Sequence, residues 1–178
     1  MTGAGVSTVA AGLALAISGA CLAIFFMTDR EAWGRANDAT IALFAVLMLP
    51  AVLDVESNAI ATALGVGGLL VVAVTSGLTA AGKLDWLLSA KIGGIGFAGF
   101  MAWMIAACIS GDLPADLRGF GLATAGLALI SLIVVLSFIR THGHMFEGDA
   151  QPPTAVIIGP TLTYLCLVAW TVWLGFEL

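Results

Sequence analysis

Charge is what this sequence has least of. Only 10% of its 178 residues are charged, six of them Lys or Arg, and the net charge is −5. A soluble domain carries about 25% charged residues, so a soluble globular fold is excluded. The few basic residues supply no field that would hold a nucleic acid. Cysteine is scarce too. Cys21, Cys108 and Cys166 are isolated, odd in number and set in apolar runs. That pattern excludes a disulfide framework and offers no C-x-x-C or Cys/His ligand spacing. Such thiols are expected to pack as small hydrophobes.

Signature motifs of soluble chemistry are missing as well. There is no G-x-x-x-x-G-K, no G-x-S-x-G and no H-E-x-x-H, hence no phosphate loop, serine nucleophile elbow or zinc-protease helix. No Asp, Glu, Lys, Arg or His falls near the middle of an apolar run. Ion- and proton-coupled carriers place such groups there, because only function justifies their expense. The lack argues against a coupled pump. Without mid-run histidines, paired haem ligation is not expected either, and no cofactor is called for.

What is abundant is apolar sequence: 61% hydrophobic residues with a mean hydropathy of +1.11. Six apolar segments run over about 4–27, 38–54, 58–81, 85–109, 116–140 and 153–176. A membrane span takes about 20 residues. The expected fold is therefore all-α, a single polytopic transmembrane bundle of six spans in the lipid bilayer. Five is the fallback if the short 38–54 run only dips in. No Lys or Arg precedes Arg30, so the first segment reads as a span and not as a secretory signal with a positive leader.

Punctuation between the segments fits this reading. Asn37 or Asp38 is placed to cap the second helix, Gly82 to end the third, Asp85 to cap the fourth and Gly111 to end it. Pro114 and Asp116 suit the start of the fifth. Loops this short leave no room for an extramembrane domain. The first, third and fifth connections hold Arg30, Arg35, Lys83, Lys91 and Arg140, whereas the second and fourth hold only Arg118. The positive-inside rule then puts the odd loops in the cytoplasm and both termini outside, in the cell (inner) membrane. Trp33, Trp86 and Trp173 fall near span ends, where interfacial aromatics belong. Lys91 lies a short way inside the fourth segment, and its stem is long enough to snorkel out.

Small residues four apart recur along the spans: Gly12–Ala16–Ala20, Ala63–Gly67, Ala73–Gly77 and Ala90–Gly94–Ala98, with Gly99 beyond. This spacing lets helix backbones approach closely in lipid. Gly12, Ala16, Gly67, Gly94 and Gly99 are the expected helix-packing positions, whether within the bundle or in self-association. Pro50 and Pro160 interrupt apolar runs, and a proline frees a backbone carbonyl and kinks its helix. Around Pro160 stand Thr161, Thr163 and Tyr164. These four residues are the candidate substrate-binding cluster inside the membrane.

Outside the spans, His142 and His144 share a loop with Glu147 and Asp149. H-x-H alone is not a metal signature, so they are weak metal candidates in a solvated loop. Asp54, Glu56, Ser57 and Asn58 form an acidic turn, suited to capping the next helix. The sequence points to an uncoupled, oligomeric channel or transporter for a small solute. The alternatives are an accessory or scaffold subunit docking a membrane-protein partner, and an enzyme working from the loop histidines or carboxylates.

Overall fold

The computed structural model describes residues 1–142 and 154–178, without the side chains at 139, 142 and 154–157. It contains α1 (Gly3–Thr28), α2 (Glu31–Asp54), α3 (Ala59–Ala80), α4 (Trp86–Ser110), α5 (Ala115–His142) and α6 (Thr154–Glu177). All six are long and apolar enough to cross a membrane, which fits a multi-pass membrane protein. The histidine loop, with His144, Glu147 and Asp149, lies outside the described residues, as does the side chain of His142.

Local chemistry sets most helix ends where the sequence places them. The Asp85 carboxylate accepts from the backbone N–H groups of Leu87 and Leu88 at 2.9 and 3.1 Å. Asn58 Oδ1 accepts from the Ala61 N–H at 2.9 Å, so the amide and not its acidic neighbours caps α3. Gly82 follows α3 with φ +68°, a left-handed turn that costs glycine little. The second helix departs from expectation. It starts at Glu31, well before the apolar run at 38, so Asn37 and Asp38 are helical and not caps. Arg35 donates to Glu31 one turn back, at 3.1 Å from Nε and 2.7 Å from Nη2. Such an i, i+4 pair supports a helical turn that projects beyond the apolar layer.

Short connections force each helix to pack antiparallel to its predecessor, and α6 returns onto α1 to close a ring. The Thr2 N–H donates to the Leu178 carbonyl at 3.1 Å, clasping the two chain ends. Beside it Gly5 and Gly175 bring the α1 and α6 backbones together. At one end of the ring, then, lie the termini and the loops after α2 and α4. The loops after α1 and α3 lie at the other, with the last turn of α5 and the first turn of α6, here the odd-loop end.

A close helix crossing joins α3 and α4. Gly68 faces the Gly96 carbonyl, and a Cβ on Gly99 would stand 2.9 Å from the Leu64 carbonyl. Gly12 packs on Val172 of α6, and Gly94 meets Leu132 of α5. Gly67 has nothing within 4 Å of where a Cβ would be, and Ala16 is exposed. These two face away from the chain's own helices, because 3.6 residues per turn rotates a four-residue repeat steadily off one face.

Candidate functional site

Polar side chains inside the bundle bond mostly to their own helix. Thr8, Thr75 and Thr124 donate to the carbonyl four residues back at 2.7–2.8 Å, the usual refuge of a hydroxyl in a dry helix. Others cross between helices instead. Ser7 donates to the Leu47 carbonyl at 2.8 Å and Ser18 to Asn37 Oδ1 at 2.7 Å, both joining α1 to α2. Ser131 and Thr163 share a bond of 2.9 Å between α5 and α6. The Tyr164 hydroxyl donates to the Leu15 carbonyl, joining α6 to α1. Interhelical hydrogen bonds of this kind hold membrane bundles where lipid removes the hydrophobic drive.

Two of these bonds border a cavity of about 240 Å³ inside the ring. Pro160, Thr163 and Tyr164 of α6 line it together with Ser131 of α5. Apolar side chains complete the wall from all the other helices: Leu15, Ile41, Phe44, Val72, Phe97 and Leu132 among them. Leu15, Phe44 and Phe97 lie at the middles of their helices, while Ser131, Pro160 and Thr163 lie nearer the odd-loop end. The cavity thus runs from mid-bundle toward that end. An apolar cavity of about 150 Å³ takes a benzene-sized molecule, and the volume here exceeds that.

Three of the four candidate site residues are therefore brought together. Thr161 is exposed and is not part of the wall, since it lies about 100° around the helix from Pro160 at 3.6 residues per turn. Sequence reasoning did not single out Ser131, Leu15 or Phe44. Ser131 carries a readable signal, a hydroxyl in an apolar run, but its partner Thr163 is 32 residues away and only the fold pairs them.

The other half of the ring is filled. Phe100 meets Phe44 edge-on at 6.0 Å and stacks on Trp103 at 5.5 Å, and Trp103 meets Trp170 edge-on at 6.3 Å. Met48, Met104 and Leu174, all fully buried, belong to the same core cluster. None of the residues lining the cavity is a carboxylate, a histidine or a basic residue. A shallower open pocket, lined by Glu56, Ser57, Asn58 and Ser110, lies at the opposite end beside the α2–α3 loop. Among the described residues no three His, Cys, Asp or Glu side chains come together as metal ligands. Apart from the Ser131, Thr163 and Tyr164 hydroxyls, the cavity wall is apolar. No protein-family model, curated protein or solved structure matches this chain.

Proposed function

We propose that this protein is an uncoupled channel or transporter for a small, uncharged solute, with its odd loops in the cytoplasm and its termini outside. The observation that carries the reading is the cavity at the centre of a closed helix ring, walled by Pro160, Thr163 and Tyr164 without any charged side chain. A site lacking ionisable groups has nothing to couple solute movement to protons or ions. Its two α6 hydroxyls are already engaged, with Ser131 and with the Leu15 carbonyl, so a solute meets mainly apolar wall. The basic residues of the odd loops support the orientation.

The test is flux of small neutral solutes into proteoliposomes, followed by stopped-flow light scattering. Thr163→Val and Tyr164→Phe should alter the flux, while Thr161→Val should leave it at the wild-type rate. Unchanged flux in both cavity variants refutes the site.

A second reading, docking of a partner or a second copy, draws on the outward face of α3. There Ala63 and Gly67 are exposed at a four-residue spacing, and Ile60 and Leu64 flank them, both exposed. Gly67→Leu should then dissociate a co-purified partner or oligomer. Retention of the same assembly mass in native mass spectrometry counts against this reading.

A further inference from the structure

The hydroxyls that border the cavity are spent on the helices around it. The Tyr164 ring lies against α1: a Cβ on Gly19 would stand 2.8 Å from its Cε1, and its hydroxyl donates to the Leu15 carbonyl. Ser131 and Thr163 share a bond of 2.9 Å. Ser131 Oγ also stands 3.1 Å from where a Cβ on Gly159 would be, which places it in the α5–α6 seam. Pro160 has no N–H to offer. Nearly all of the surface that faces the void is carbon, from side chains such as Leu15, Ile41, Phe44, Val72, Phe97 and Leu132.

A buried water takes about two to four polar partners, and a cavity walled by carbon stays dry. A polar solute brought here loses its bonds to water and gains none in exchange. Dispersion contacts, in contrast, are open to any carbon atom that fills the space. At about 240 Å³ the void exceeds the roughly 150 Å³ that takes the six carbons of benzene, and scaling by volume gives about ten carbons. Every helix contributes to the wall, so the void is a compact chamber and not a slit between two helices.

We propose that this chamber is a site for a compact apolar molecule of about ten carbon atoms, a one- or two-ring hydrocarbon that reaches the protein dissolved in the bilayer. This rests on the transport reading for the role of the cavity, and it names the solute's class: hydrocarbon, and not amide, polyol or water. Selection works by exclusion. Phe44 and Phe97 of the wall add contacts that favour an aromatic guest beyond its area alone.

The probe is naphthalene, ten carbons in two rings, added to the full chain in nanodiscs of deuterated lipid. Ile, Leu and Val methyls carry ¹³C, because a nearby ring current displaces their resonances. Those of Leu15, Ile41, Val72 and Leu132 should move and saturate. Ile60 and Ile95, both about three-quarters exposed on the outside, should drift only in proportion to the naphthalene dissolved in lipid. Ala128→Phe should abolish the saturation, and Ala128→Leu serves if the phenylalanine variant fails to fold. In proteoliposomes, protein-dependent flux should favour 1,6-hexanediol over glycerol by about tenfold or more, since one hydroxyl fewer is stripped of water and three more carbons are buried. Cavity methyls that do not saturate, or flux of glycerol equal to that of hexanediol, overturn the apolar site and leave the transport reading standing. Saturation without protein-dependent flux keeps the site and removes the transport reading. Neither saturation nor flux removes both. In protonated lipid, nuclear Overhauser contacts from acyl chains to the cavity methyls would assign the chamber to a lipid tail and also overturn the proposal.

Discussion

Two glycine-to-alanine changes should have opposite effects on stability, although the sequence spacing singles out Gly67 and not Gly96 as a packing position. At Gly96 an added Cβ would stand 2.6 Å from the Gly68 carbonyl and 2.9 Å from Val71 Cβ. Ordinary van der Waals contact begins at 3.4 Å, so the α3 and α4 backbones must part by about 0.8 Å, the difference between 3.4 and 2.6 Å. A gap of about 0.5–1 Å forfeits a quarter to a half of each dispersion contact, and overpacking of this kind costs about 1–3 kcal/mol. At Gly67 the same Cβ enters open space. There alanine only removes glycine's helix penalty, a gain of up to about 1 kcal/mol. Reversible unfolding in mixed SDS micelles, followed by far-UV circular dichroism, measures both. Gly96→Ala should unfold at lower SDS fraction than wild type, and Gly67→Ala at equal or higher. Equal destabilisation by the two would refute the α3–α4 crossing and place Gly67 at a contact.

Other outcomes follow from the same geometry. Ala128→Phe should fill the cavity that Ala128 lines and abolish solute flux while the protein stays folded; wild-type flux would show that solute does not pass there. Ser131→Ala and Thr163→Val share one bond, so a double-mutant cycle of unfolding energies should return a coupling of about 0.6–1.7 kcal/mol; additive effects would break the pairing. Asp85→Ala removes the side-chain acceptor for two N–H groups of α4 and should cost about 1 kcal/mol in the same unfolding assay. Arg35→Gln should change stability by less than about 0.5 kcal/mol, because its pair with Glu31 is half to four-fifths exposed. A cysteine placed at Ser57 should react with an impermeant thiol reagent from outside intact cells, and labelling only after lysis would reverse the orientation.

By itself the sequence determined the number of helices, their class and nearly all of their ends. Long apolar runs admit only helices in lipid, because every backbone group must be paired within its own segment. Asp85, Asn58 and Gly82 act locally, so their roles are legible from nearest neighbours. The early start of α2 was not legible, since Glu31 and Arg35 look like loop residues until their side chains meet across a turn. The substrate cluster was half legible. A proline beside hydroxyls marks a place on α6, but which of Thr161 and Thr163 turns inward depends on how α6 is rotated against α1 and α5. Only the tertiary structure decided that Gly68, Gly96 and Gly99 make the close crossing while Gly67 points out. A small residue permits an approach, and which approach forms depends on the neighbour's shape. The same holds for Trp103 and Trp170. Tryptophan in a span signals an interface or a core, and their meeting across the ring, far apart in sequence, is a property of its closure.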